Sequence, residues 1–232
     1  MKKIAGLLLS AIFVCSLALA SGCTNTASLA YNQRLTESKE YSFNIIYTDS
    51  NAEAPIYISC YKDGDDYAYR FSLDGFDNEN LAYRQIFDNG IFYEICEKKL
   101  GGVWCGEYKK TENVAVTCEK NFMYKYTNYI TSGSFLTLLG KGEKVTYKGR
   151  RCTQSDIAYE SSVYTFVFDD ETSNLVKFVL TGEEGEKTLE YSDYKFGNVD
   201  KECFNLPALG TGENGVLLYR EVTEFTYKYF VS

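Results

Sequence analysis

The chain has 232 residues, with 32 acidic against 24 basic side chains, a formal charge of −8 and no histidine. An acidic chain repels phosphate backbones, which argues against nucleic acid as a partner. Without imidazole, Ser-His and Cys-His nucleophile pairs and His-based metal hydrolysis are excluded, and no catalytic residue, cofactor or metal site is expected.

The first element is an export signal. Lys2 and Lys3 precede an apolar run over residues 4–19, and Ala20-Ser21-Gly22 sets small residues directly before Cys23. This is the pattern of a lipoprotein signal peptide over residues 1–22, with Cys23 as the lipid-anchor residue and residues 23–26 as anchor and tether. An ordinary secretory signal is the competing reading, because Ala20 stands where lipoproteins more often carry Leu. The apolar run is interrupted by Ser10 and Ser16 and falls short of the ~20 residues that a spanning helix wants. The mature chain is therefore expected to be extracytoplasmic, anchored to the bacterial cell membrane by its N-terminal lipid, and monomeric.

Residues 27–39 carry a modest amphipathic pattern with Leu29 and Leu35, suited to a covering helix. Residues 41–48 then alternate, with Tyr41, Phe43, Ile45 and Tyr47 on one face, which reads as a half-buried strand. Strand patterns at 56–61 and 67–73 flank the turn signal Asp63-Gly64, and Asn89-Gly90 supplies the positive-φ pair of a tight hairpin. A strand at 103–108 follows. Residues 117–139 break the series. There Phe122, Tyr126, Tyr129 and Ile130 recur at helical spacing, and a central helix is expected over residues 119–130. Five further strands follow, at 143–148, 151–159, 163–168, 175–181 and 187–194. So many short strands with brief loops predict a mainly β protein with minor α, one large curved antiparallel sheet over residues 27–207, covered by the two helices. Residues 208–232 form a C-terminal extension. Its second half alternates partly, with Phe225, Tyr227 and Tyr229 on one face. It is read as an added edge strand, with a mobile partner-binding segment as the alternative.

Of the eight cysteines, Cys15 leaves with the signal and Cys23 takes the lipid. Cys60, Cys96, Cys105, Cys118, Cys152 and Cys203 remain as disulfide candidates, up to three bridges in an exported domain. If Leu100-Gly101 turns its hairpin, Cys96 and Cys105 face each other across two strands. Wide spacings and the absence of His argue against zinc. The acidic runs lie at turns and lack calcium-loop spacing.

Several segments together carry a resemblance: Tyr41-Ser42-Phe43 opening the first strand, Asp88-Asn89-Gly90 at the hairpin, Val167-Phe168-Asp169-Asp170-Glu171, and the closing Phe196-Gly197-Asn198-Val199-Asp200 with Phe204-Asn205-Leu206-Pro207. In their order, with a leading helix and a central helical insertion, they look like the LolA/LolB superfamily of lipoprotein carriers and related lipid-binding lipoproteins. The resemblance implies an unclosed β-barrel whose apolar concave face, lidded by helices, accepts acyl chains or another hydrophobic ligand. It differs from the carriers in its own apparent anchor, its six mature cysteines and its extension beyond Pro207. An anchored protein cannot shuttle, so a lipid acceptor or presenter, or an envelope-stress sensor with a protein partner, fits better than a carrier.

The 21 Tyr and 15 Phe are consistent with such a face, since aromatic rings give broad apolar contact and Tyr keeps a polar tip. The plainer alternative is a Tyr-rich sheet that fills its own core. Alternation alone names Phe43, Ile45, Tyr69, Phe71, Phe166 and Phe178 as ligand-binding candidates. Two functions follow: a non-enzymatic lipid-binding module at the cell surface, or a protein-interaction and sensing module on the same fold without lipid.

Overall fold

The computed structural model describes residues 25–77, 80–112, 136, 138–206 and 218–226. Asn25 caps the first helix, α1 (Thr26–Glu37), by accepting hydrogen bonds at its side-chain oxygen from the backbone N–H groups of Ala27 and Ser28. Cys23 and Thr24 precede the described residues, and Asn25, read above as tether, is instead a buried cap.

Eleven strands follow. They are β1 (Glu40–Asp49), β2 (Ile56–Asp63), β3 (Asp66–Ser72), β4 (Leu81–Asp88), β5 (Ile91–Leu100), β6 (Val103–Glu112), β7 (Glu143–Tyr147), β8 (Arg150–Tyr159), β9 (Ser162–Asp169), β10 (Leu175–Gly182) and β11 (Gly185–Phe196). A short 3-10 turn, Lys201–Phe204, and β12 (Tyr219–Glu221) complete the order. All twelve strands form one sheet in the order β12-β6-β5-β4-β3-β2-β1-β11-β10-β9-β8-β7. Two hairpin meanders, β1 to β6 and β7 to β11, are thus joined side by side where β1 pairs with β11. The ends of the order, β12 and β7, do not pair with each other, so the sheet stays unclosed.

Local chemistry explains the hairpins. Asn89 (φ 49°) and Gly90 (φ 80°) both take left-handed backbone, the conformation of the tight turn predicted there, and Asp88 pairs with Ile91 across it. At the next hairpin the turn is Gly101-Gly102, with Leu100 opposite Val103. The register therefore sits two residues from the one expected: Cys96 lies opposite Glu107, and Cys105 opposite Lys98. Cys96 and Cys105 are diagonal neighbours, about 7–8 Å apart by sheet geometry, too far for a disulfide. Among the described residues Cys60, Cys96, Cys105, Cys152 and Cys203 are all free thiols, and Cys118 lies outside them.

Of the two expected covering helices, α1 is present; the central one, over residues 119–130, lies outside the described residues. The C-terminal segment adds β12 at the sheet edge, parallel to β6, with Tyr219 beside Gly106 and Glu221 beside Tyr108. Tyr227 and Tyr229 also lie outside the described residues.

Each sheet face carries a core. The inner face, the one α1 covers, gathers Phe43, Ile45, Ile58, Tyr69, Phe87, Phe92, Phe166, Phe168, Phe178 and Leu189 with Tyr31 and Leu35 of α1. The outer face has a smaller cluster of Ala68, Ile86, Ile95, Tyr108 and Tyr219, against which Cys203 and Phe204 of the 3-10 turn pack.

Candidate functional site

The inner face is built by alternation. In β1, Tyr41, Phe43 and Ile45 point inward, and the facing register carries that side across the sheet. Phe43 is opposite Cys60, Cys60 opposite Tyr69, and Phe166 opposite Phe178. The six residues named from the sequence all lie on this face and belong to, or pack against, one cluster. Phe43, Ile45, Tyr69, Phe166 and Phe178 are 5% exposed or less, and Phe71 is half-buried at the margin. Their rings meet directly: Phe166 lies 5.0 Å from Phe178 and stacks along Phe168, and Phe43 approaches Tyr194 at 5.2 Å. Each fully buried ring of this kind contributes roughly 1.5–3 kcal/mol by leaving water.

α1 crosses the face over β9 and β11. Tyr31 packs edge-on against Phe168 and Tyr194. Tyr194 donates its hydroxyl proton to the Leu175 carbonyl at 2.9 Å, so Tyr31 must donate to the Tyr194 oxygen, 3.0 Å away. Burial holds both phenols protonated, well above their ordinary range. Arg34 donates to the Asn174 side chain at 2.7 Å and lies over the Phe196 ring, which pins the C-terminal half of α1.

The opposite margin is closed by the chain's last described segment. Tyr219 sits on the outer face and donates to Glu97. A few residues on, Phe225 lies edge-on to Tyr83 on the inner face, under the Lys109 ammonium. The segment thus wraps round this margin of the sheet next to β6, and two buried carboxylates hold it. Glu107 accepts from Arg220 and from the Thr226 N–H and hydroxyl, at 2.7 and 2.8 Å for Thr226. Glu97 accepts a bidentate pair from Arg84 at 2.8 and 3.0 Å, and Arg84 also donates to the carbonyl of Asn205.

Sequence reasoning missed these two carboxylates. Glu97 and Glu107 stand beside Lys98-Lys99 and Lys109-Lys110, a charged setting that reads as solvated strand end; only the pairing with β4 and β12 brings Arg84 and Arg220 to them.

A cavity of about 390 Å³ opens where β10 and β11 part, lined among others by Tyr191 and Tyr194 of the inner face and by Lys148, Arg150 and Asn174. Lys148 is paired with Glu190, and Arg150 approaches Asp169, so the cations at its rim are partly neutralised. No group of three or more His, Cys, Asp or Glu that could hold a metal occurs among the described residues. Burial raises the Cys60 thiol well above its usual pKa. Burial and the Asp200 charge push Cys203 up to about 12, so both stay protonated and weakly nucleophilic at neutral pH. No helix among the described residues is long and apolar enough to cross a membrane.

These features define an open single-sheet protein with one helix-covered aromatic face. No protein-family model matches the chain, and no curated protein matches it in sequence. Solved structures are similar in fold. The Mycobacterium tuberculosis lipoprotein LppX is 11% identical with a TM-score of 0.41, over 75% of this chain and 96% of that one. MucB is 11% identical with a TM-score of 0.44, over 78% and 63%. A putative outer membrane lipoprotein-sorting protein domain from Vibrio parahaemolyticus is 10% identical with a TM-score of 0.24, over 77% and 97%. PNGF-II is also similar, at 10% identity and a TM-score of 0.33, but this chain spans only 31% of its length.

Proposed function

We propose that the chain is an extracytoplasmic lipoprotein, anchored through Cys23, that holds a lipid or other apolar ligand on the inner face of its sheet. The observation that carries this reading is the continuity of that face. Large apolar side chains run from Phe92 on β5 and Phe87 on β4 through Tyr69, Cys60, Phe43 and Leu189 to Phe178 and Phe166, with the polar Gln85 and Glu94 beside them at the β4–β5 end. The buried aromatic cluster extends past the width of α1, as far as Phe87 and Phe92 on β4 and β5. The cavity beside Tyr191 and Tyr194 lies at one end of the sheet and is lined also by Tyr147 and Val176 of the opposite face. The reading assigns no catalysis, in keeping with the lack of His and with buried carboxylates already bonded to Arg84 and Arg220.

Native mass spectrometry of protein released from its host without detergent tests this. The expected spectrum shows adducts of lipid mass, increased by offered phospholipid. A clean apo mass that no lipid shifts would refute it.

A second reading, an envelope-sensing or protein-docking module, draws on the close filling of the same face by its own rings, Phe166 being 1% and Phe178 3% exposed. Among the neighbours, MucB has been solved in complex with MucA. A clean apo mass together with a co-purifying envelope protein would support this alternative.

A further inference from the structure

We propose that the surface around Asn25 is a membrane-contact face, with Leu29, Leu138 and Lys141 seated among the headgroups of the bilayer that holds the Cys23 anchor. This rests on the anchoring reading above. Asn25 is 2% exposed and fully engaged. Its backbone N–H donates to the Leu139 carbonyl at 3.2 Å, its amide nitrogen to the Ser155 hydroxyl at 3.0 Å, and its side-chain oxygen caps α1. A residue fixed in this way cannot serve as a flexible leash. Thr24 alone separates it from Cys23, and two trans peptide links reach at most about 7.6 Å. The polar layer on each side of a bilayer is of similar thickness, about 5–7 Å. With acyl chains on Cys23 the two lengths match, so Asn25 is held no farther out than about the top of the headgroup layer, and side chains that project around it meet headgroups.

What that surface exposes suits the position. Leu29 follows Asn25 by one helical turn, its N–H donating to the Asn25 carbonyl at 3.2 Å, and is 38% exposed. Leu138 adjoins Leu139, the residue that accepts from Asn25, and is 70% exposed, whereas Leu136 and Leu139 beside it are buried. Single exposed leucines are ordinary on a soluble surface; two that flank the anchored residue are not scattered. Lys141, exposed on the same connection, supplies a cation for lipid phosphate. The occupant is therefore a lipid surface, set by the length of the tether rather than by apolarity alone.

The test uses the lipidated mature protein in phosphatidylcholine vesicles, with tryptophan placed at one site and the parent Trp104 signal subtracted. Leu138→Trp reports the proposed face. Asp65→Trp reports the far end of α1, where the Gly64 N–H bonds to the Lys39 carbonyl at 2.8 Å, about 18 Å along the helix from Asn25. The expected result is roughly twofold quenching of Leu138→Trp by lipids brominated on the acyl chain, with shielding from aqueous iodide, and neither effect for Asp65→Trp. Equal iodide access at both sites, with diacylglyceryl confirmed on Cys23 by mass, would overturn the contact face and leave the anchor standing. A Cys23 found without lipid would overturn both. Shielding from iodide without quenching by brominated lipid would assign the patch to a second copy or another protein and would overturn the proposal too.

Discussion

Arg84→Met is the substitution whose cost can be worked most directly from the structure. The Arg84 guanidinium is 12% exposed and the Glu97 carboxylate 7%, and they form two parallel hydrogen bonds. Arg84 also reaches the carbonyls of Cys203 and Asn205, and Tyr219 donates to Glu97, so one ion pair ties the 3-10 turn and β12 to the sheet. Methionine fills much of the volume but leaves a buried carboxylate without its cation, a loss of about 3–5 kcal/mol. For a domain of this size each kcal/mol is worth roughly 2–4 °C, which gives a fall in Tm of about 6–20 °C. Thermal melts by near-UV circular dichroism, with Glu97→Leu and the double variant closing a cycle, measure it. The double variant should recover part of the loss, because both charges are then gone. A single-variant cost at or below ~1 kcal/mol, the worth of an exposed pair, would refute the reasoning.

Further outcomes follow from the same structure. Phe166→Ala, at the centre of the inner face against Phe168 and Phe178, should lower stability by about 3–5 kcal/mol in denaturant titration. Asn25→Ala should cost about 0.5–2 kcal/mol through the lost cap and should speed hydrogen exchange across the first turn of α1.

Stability should be flat from about pH 5 to 8, because the chain has no histidine to titrate there. Below that window Glu107 and Asp169 matter. Burial opposes their ionisation, but backbone N–H donors and the arginines Arg220 and Arg150 outweigh it and hold both below their ordinary pKa. Asp170 is lowered by the Thr153 hydroxyl and the Lys144 ammonium. Their stabilisation is complete above the unfolded carboxylate values, near 4, and is lost as pH falls through the folded ones. Above about pH 8.5 the sign reverses. Cys60 and Tyr31 are raised by burial, so their contribution is complete below the unfolded values and is lost as pH rises past them. Melts at stepped pH that slope steadily between 5 and 8 would contradict this. Alkylation of native protein near neutral pH should leave Cys60 and Cys152 unmodified and label the half-exposed Cys105 first, with Cys203 lagging behind it because its thiol stays protonated, read by peptide mass.

Period-two patterning made the sheet legible, because a strand with one buried side advertises that side residue by residue. Tyr41, Phe43 and Ile45 pointed inward as their spacing required, and Asn89-Gly90 turned where its φ preference demanded. The next hairpin was misread because three candidate turn residues, Leu100, Gly101 and Gly102, stand in a row. Choosing Leu100-Gly101 moved the register by two and placed Cys105 opposite the wrong partner. The parallel pairing of β12 with β6 was not readable, since it joins residues more than a hundred positions apart and depends on Glu97 and Glu107 being buried. Asn25 was read as tether because a polar residue after a lipidation cysteine looks like linker. Its role as cap becomes visible only when Ser155 and Leu139 arrive beside it.

The claim that the inner face holds an apolar molecule is tested most directly by paired photo-crosslinking from adjacent positions on β9. Tyr164 is half-buried on the inner face and packs near Phe178, whereas Thr165 points to the outer face. With benzoylphenylalanine at each site in turn, irradiation in the host envelope should give a lipid-mass adduct at position 164 and none at 165. Equal labelling at both positions, or no lipid adduct at 164, would contradict the account.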